Sequence, residues 1–173
     1  EEFPFVLDCA TSITQRGKLE YYSKLGMPTP EGMVIGRDGK AKTDTDQILK
    51  ELVTGEAALA PLGGIGEELG GYKGYGYATV VDVLSAALQA VSCVKMLTGK
   101  KYFKNVPYRL GHFFLAIDTE AFLGLEQFKK TAGDIMRALR NSQKAPDQER
   151  IYVAGEKEYE VWLQRKDSGV PIN

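Results

Sequence analysis

The sequence of 173 residues is poor in cysteine, in histidine and in charge of a single sign. Two cysteines, Cys9 and Cys93, stand far apart, which excludes a disulfide framework and the paired spacing of a zinc site. The 22 Lys and Arg residues balance the 23 Asp and Glu residues and are scattered, so neither nucleic acid nor a membrane is indicated as a partner. No apolar run reaches the ~20 residues of a membrane-spanning helix, and no signal peptide is recognisable. These absences predict a cytoplasmic globular protein without a metal site.

Groups for acid–base chemistry are also scarce. The one histidine, His112, begins the apolar stretch "HFFLAID", and its neighbours Phe113 and Phe114 indicate a packed side chain rather than a general acid. No paired carboxylates stand out. The residues alone therefore predict no catalytic group.

The sequence alternates strand-like apolar runs with helical patterns. Strands are predicted in three apolar runs: within residues 3–10, where the strand ends near Asp8, and over 113–117 and 151–155. Helices are predicted from Thr11 or Ser12 to Gly26 and over 44–55, 79–91, 125–139 and 156–169. This alternation predicts an α/β chain of the α+β type, a mixed β-sheet with helices packed on it, and the length predicts one domain over 1–173.

A glycine-rich stretch, "LGGIGEELGGYKGYG", precedes the third predicted helix. It fits neither common phosphate motif, because Leu69 stands where the dinucleotide pattern needs glycine and Lys73 is followed by Gly74 rather than Ser or Thr. Lys73, next to Tyr72 at a helix start, is nevertheless placed to bind phosphate or carboxylate. The alternative is a surface lysine in a glycine loop.

Two more predicted helix starts present free backbone N–H groups. One follows Asp8, where the hydroxyls of Thr11 and Ser12 lie beside the helix start, and the alternative there is plain capping. The other is "VAGEKEYE", where Gly155 precedes Glu156, and the alternative is a carboxylate that complements the helix dipole.

Five stretches, in the same order, resemble the malate/L-lactate dehydrogenase family that lacks a Rossmann fold. They are "LDCATSITQRGKLE", "PEGMVIGRDGKAKTD", "ALAPLGG" with "YKGYGYATVVDVLSAAL", "GHFFLAIDTEAF" and "RIYVAGEKE". The family also contains ureidoglycolate and sulfolactate dehydrogenases, diketogulonate reductase and piperideine-2-carboxylate reductase. The resemblance covers nearly the whole chain and corresponds to the C-terminal half of the family.

The resemblance implies a homodimeric oxidoreductase of non-Rossmann topology that uses NAD or NADP. Such an enzyme transfers hydride between the nicotinamide and a 2-hydroxy or 2-oxo acid like malate or lactate. Carried over by position, the cofactor contacts are the three places singled out above: Asp8, Cys9, Ala10, Thr11 and Ser12; Tyr72 and Lys73; Gly155, Glu156 and Lys157.

The sequence also departs from the family pattern. The segment "IGEELGGY" is longer than the usual link, and Ala154 stands where a proline is common. The family's catalytic histidine, on an "SHG" segment of the N-terminal half, has no counterpart here. The chain is therefore expected to be a fragment without the N-terminal half and the C-terminal helix, which supplies cofactor binding and is inactive by itself. The alternative is a non-catalytic nucleotide- or anion-binding module.

Overall fold

The computed structural model describes residues 2–94, 100–101, 104–107 and 109–172, which fall into two compact units. The terminal unit joins Glu1–Cys9 with Leu115–Asn173, and the central unit comprises Ala10–Phe114. The single cofactor-binding domain expected over 1–173 stays a prediction.

The core of the central unit lies where two helices pack beside a small sheet. Helix α1 (Arg16–Lys24) contacts α2 (Thr45–Thr54), and β1 (Val34–Gly36) pairs antiparallel with β2 (Ala57–Leu59). Four buried apolar side chains form this core: Leu19, Val34, Ile48 and Ala57. Burying each larger aliphatic side chain contributes about 1.5–3 kcal/mol, so this cluster is a main source of the unit's stability.

Helix α2 has the start and stop signals expected from its sequence. Asp44 Oδ1 accepts a hydrogen bond from the Gln47 backbone N–H at 3.0 Å. Gly55 ends the helix in the left-handed conformation, at φ 79°. The helix predicted over 44–55 is confirmed, and Asp44 is its cap.

The glycine-rich stretch packs its own backbone against the first turns of α3 (Gly71–Ser85). A Cβ atom on Gly74 would lie 2.4 Å from the backbone N and O atoms of Leu62, so only glycine fits there. A Cβ atom on Gly76, in the same helix, would meet no atom within 4 Å. Close approach of two backbone segments therefore accounts for glycine at position 74.

The terminal unit consists of two helices and the extended N-terminal segment. Its helices are α4 (Leu125–Arg140), preceded by a 3-10 turn over Thr119–Ala121, and α5 (Glu156–Arg165). The ring of Phe3, in the extended segment, stacks on Tyr159 of α5 with 5.6 Å between centroids. The N-terminal segment thereby packs against the first turn of α5.

Strands are fewer than the sequence predicts. Among the described residues, β1 and β2 form one antiparallel pair, and β3 (Lys100–Lys101) and β4 (Lys104–Asn105) form another. The predicted strands at 3–10, 113–117 and 151–155 are wrong for the described part of the chain, where these segments lie outside any strand. A strand needs a neighbour for its N–H and C=O groups, which an apolar run alone does not specify. The α/β content is confirmed as helices with short strands, but the described residues do not form the predicted mixed sheet.

The predicted apolar helix faces exist but are largely exposed, although Met136 of α4 is buried. Helix α3 ends at Ser85 instead of continuing to position 91, and Val80 is 55% exposed. On α4, Phe128 and Ile135 are 56% and 57% exposed. Helical periodicity identifies a face that favours burial, whereas burial itself depends on a partner surface.

Two glycine substitutions in α3 are expected to have opposite effects on stability. Gly74→Ala places a methyl group against the Leu62 backbone and should destabilise the chain by about 1–3 kcal/mol. Gly76→Ala, the matched control, meets open space and should stabilise the chain by about 0.5–1 kcal/mol, because alanine favours a helix. Urea unfolding measures both values, and equal effects at the two positions would contradict the packing described.

Candidate functional site

A groove in the terminal unit brings together two places that the sequence singled out. Its walls are Val6–Asp8 on one side and Tyr152–Gly155 with Lys157 and Glu158 on the other, and it encloses about 410 Å³. The backbone N–H of Val6 donates to the Ala154 carbonyl at 3.1 Å and joins the two walls. Asp8 and the start of α5 therefore line one site, which is called the terminal groove below.

Gly155 makes this close approach possible. It precedes α5 in the left-handed conformation, at φ 92°, and a Cβ atom would lie 3.0 Å from the Val6 backbone N. Any other residue would be strained and would push against the Val6 wall. Glycine at this position thus sets both the start of the helix and the width of the terminal groove.

Glu156 was predicted to contact a cofactor, but its carboxylate is 1% exposed and has partners within the unit. Oε2 accepts a hydrogen bond from the Val153 N–H at 3.0 Å, and Oε1 pairs with the guanidinium groups of Arg150 and Arg140. Burial by itself raises the pKa of this carboxyl. The Val153 N–H and the two arginines outweigh that effect and hold the pKa below its ordinary value of 4.5.

Two cations flank the aromatic ring that lines the terminal groove. The guanidinium carbon of Arg150 and Nζ of Lys157 each lie 4.6 Å from the centroid of the Tyr152 ring. Such contacts contribute about 0.5–1 kcal/mol each at exposed sites. Lys157, a predicted cofactor residue, is exposed at the groove, where its ammonium can meet an anion.

Cys9 and Ala10 follow Asp8 and are both exposed. The helix predicted to begin at Thr11 or Ser12 begins instead at Arg16, after Gln15. Segment 11–13 pairs with 60–62: the Leu62 N–H donates to the Thr11 carbonyl at 3.0 Å. The hydroxyl of Ser12 donates to the Thr14 carbonyl at 2.6 Å, so neither side chain caps a helix. Antiparallel pairing keeps this segment extended and moves the helix start downstream.

Lys73 lies inside the first turn of α3, not in the loop before it. Its N–H donates to the carbonyl of Gly70, the residue that precedes the helix, at 2.9 Å. Its ammonium is 5.8 Å from the centroid of the Tyr72 ring, and both side chains are exposed. Tyr72 and Lys73, both predicted to bind cofactor, are therefore adjacent and accessible at the helix start.

Outside these places, His112 is the remaining described residue that the sequence raised as a candidate general acid. The ring of His112 is exposed and stacks on Phe114 with 6.3 Å between centroids, and its carbonyl accepts from Gln89. Within the described ranges, no group of three His, Cys, Asp or Glu side chains could hold a metal ion. None of the helices in these ranges has the length and the apolar character that crossing a membrane requires.

Sequence reasoning missed Arg140, Arg150 and Tyr152. Arg140 lies at the end of α4 and Arg150 in the loop before α5, so their meeting at Glu156 depends on how these segments pack. No local motif marks them. The one available signal was Glu156 at a predicted helix start. If such a carboxylate is buried, it requires a cation nearby.

The comparisons with known proteins identify the family. Residues 1–173 match the model of the malate/L-lactate dehydrogenase family. Malate dehydrogenase of Pyrococcus horikoshii is 40% identical over 172 residues, which are 98% of this chain and 45% of that protein. L-sulfolactate dehydrogenase of Methanocaldococcus jannaschii is 32% identical over 168 residues, 96% of this chain and 44% of that protein. The chain belongs to the malate/L-lactate dehydrogenase family, as its sequence motifs indicated.

The fold comparison agrees with this assignment. The crystal structure of malate dehydrogenase from Entamoeba histolytica matches with a TM-score of 0.87 at 39% sequence identity. The match covers 99% of this chain and 48% of that one. The chain thus spans about half the length of the relatives it matches.

The acid side of the stability profile should depend on Glu156. Because the folded pKa is lowered, the ionised carboxylate stabilises the fold above its ordinary pKa, and this contribution is lost as pH falls through the lower folded value. Glu156→Gln removes the titration, so between about pH 5 and pH 3 its free energy of unfolding should fall less steeply than that of the unmodified chain. Urea unfolding at a series of pH values measures the slope, and parallel profiles would contradict the assignment.

Proposed function

We propose that the chain supplies the cofactor-binding part of an oxidoreductase. The enzyme transfers hydride between NAD or NADP and a 2-hydroxy or 2-oxo acid of the malate or lactate type. Relatives named malate, L-sulfolactate and L-lactate dehydrogenase support this substrate class. The observation that carries the proposal is the terminal groove, where Asp8 and the Gly155 helix start, distant in sequence, line one site. Non-Rossmann topology and a homodimer remain parts of the proposal.

The terminal groove fits part of a dinucleotide by size and chemistry. Its volume of about 410 Å³ lies within the range of small-molecule sites. Asp8 presents a carboxylate to ribose hydroxyls, and Lys157 presents an ammonium to phosphate beside the first-turn N–H groups of α5. Cys9 and Ala10 continue from Asp8 and complete the exposed segment. When bound, the nicotinamide supplies or accepts the hydride, while these residues bind and orient the cofactor.

Lys73 and Tyr72 form the proposed cofactor contact of the central unit, with Thr11 and Ser12 as further candidates. Helix α3 has no side-chain cap and no acidic residue in its first turn, yet it carries Lys73 there. A cation at the positive end of a helix dipole is unfavourable, and an anion bound beside it offsets that repulsion. The electrostatics of this helix start therefore favour a phosphate-bearing ligand.

Lys73→Ala should weaken NADH or NADPH binding by about 10-fold or more, as expected for a charge-assisted contact of roughly 1.5–3 kcal/mol. The chain has one tryptophan, Trp162 in α5, so energy transfer from tryptophan to the reduced nicotinamide reports binding. Lys50→Ala, an exposed lysine of α2, is the matched control and should bind as the unmodified chain does. Absence of binding of either nucleotide to the unmodified chain would refute the proposed function.

One observation suits the alternative, a non-catalytic nucleotide- or anion-binding module: the exposed Lys73 at the start of α3 can bind an anion without any catalytic group. Reduction of a 2-oxo acid needs a proton donor at the carbonyl oxygen, and the exposed His112, stacked on Phe114, is not placed in either set of cofactor residues.

Turnover distinguishes the two functions. The chain alone, given NADH and oxaloacetate or pyruvate, should show no oxidation of NADH. Combined with an N-terminal half of the family as a separate polypeptide, it should oxidise NADH, and His112→Asn should leave the rate unchanged. Nucleotide binding without turnover in the combined sample would instead identify a binding module.

A further inference from the structure

Both oxygens of the Glu156 carboxylate are paired with groups of its own unit. It is 1% exposed, Oε2 accepts the Val153 N–H at 3.0 Å, and Oε1 lies 3.2 Å from Nη2 of Arg140 and pairs with Arg150. Lys157 and Glu158, the next residues of the helix, are by contrast exposed at the terminal groove. Glu156 therefore has no free oxygen directed to a ligand, although it lies at the same helix start.

Two partners of Glu156 connect it to one wall of the groove: Val153 lines that wall, and Arg150 contacts Tyr152, which also lines it. Arg150 reaches Glu160 of α5 at 2.6 Å through Nη1, and its guanidinium lies against the Tyr152 ring that lines the terminal groove. The Val153 N–H fixes the turn that continues into Ala154. One buried carboxylate thus orients both the aromatic ring and the backbone turn of this wall.

The second wall depends on the same turn. Ala154 accepts the hydrogen bond from the Val6 N–H at 3.1 Å, and Val6 leads directly to Asp8. Movement of the Val153–Gly155 turn would therefore shift the N-terminal segment as well. The position of the Val153–Gly155 turn therefore determines the distance between the two walls of the groove.

We infer that Glu156 is a positioning residue for the cofactor: it holds the Val153–Gly155 turn and Arg150, and so the width of the terminal groove, without touching the dinucleotide. The inference rests on the proposed function and deepens it. Removing the carboxylate leaves the buried Val153 N–H without its acceptor and removes one of the two carboxylates that hold Arg150, which favours rearrangement of the turn.

The experiment compares Glu156→Ala and Glu156→Gln with the unmodified chain by Trp162-to-NADH energy transfer, at a temperature where circular dichroism shows every variant folded. Glu156→Ala should raise the dissociation constant by about 10-fold or more, because a buried donor loses its partner. Glu156→Gln keeps one oxygen acceptor and should restore part of the affinity. Glu126→Gln is the control, since Glu126 is 89% exposed on α4 and lies outside the groove.

The outcomes separate this inference from the proposed function. If the unmodified chain binds NADH and the folded Glu156 variants bind it equally well, Glu156 is only a stabilising residue and the inference is wrong. If the unmodified chain binds neither NADH nor NADPH, the proposed function itself fails. Should Glu156→Ala not fold, Glu156→Gln and Arg150→Lys provide the test, since each is expected to weaken binding by about 3-fold or more while the fold is kept. Unchanged affinity in both would overturn the inference.

Discussion

The buried negative charge at the start of α5 is the constraint on which the terminal unit depends. An ionised carboxylate that is 1% exposed is tolerated only when it is paired and hydrogen-bonded. Glu156 meets this requirement by drawing together the end of α4, the loop at Arg150 and the turn at Val153. These three segments carry few buried apolar side chains of their own: Met136 and Val153 are buried, whereas most of α5 is exposed. In the terminal unit, ion pairs and hydrogen bonds thus hold the segments together, whereas in the central unit an apolar core does so.

The central unit follows a different physical rule. Its α1, α2 and two-stranded sheet enclose Leu19, Val34 and Ile48, and its glycine-rich stretch allows two backbone segments to touch at Gly74. The same stretch leaves Lys73 accessible at a helix start. The glycine-rich stretch can therefore pack closely against α3 and still leave the start of this helix open to an anion. The exposed apolar faces of α3 and α4 accord with a chain that spans about half the length of its relatives.

The sequence predicted most where the signal was local. Asp44 and Gly55 marked the ends of α2, and the helical stripe from Leu125 marked α4. It failed where a partner decides the outcome: the apolar run "HFFLAID" lies outside any strand, and the helix expected at Thr11 starts at Arg16 because segment 11–13 is paired. For the candidate site, family motifs indicated Asp8 and Gly155, which line one groove and whose contact with a cofactor stays a prediction. They gave no indication of Arg150, because no short pattern encodes a long-range ion pair.

The proposed function requires that a nicotinamide dinucleotide occupies the terminal groove. Amide hydrogen exchange, measured with and without saturating NADH, tests this requirement. Exchange should slow at Leu7, Asp8 and Lys157, whose backbone lines the groove, and should be unchanged at the solvent-facing end of α4 around Glu126. Unaltered exchange at the groove residues under saturating NADH or NADPH would show that the dinucleotide does not bind there.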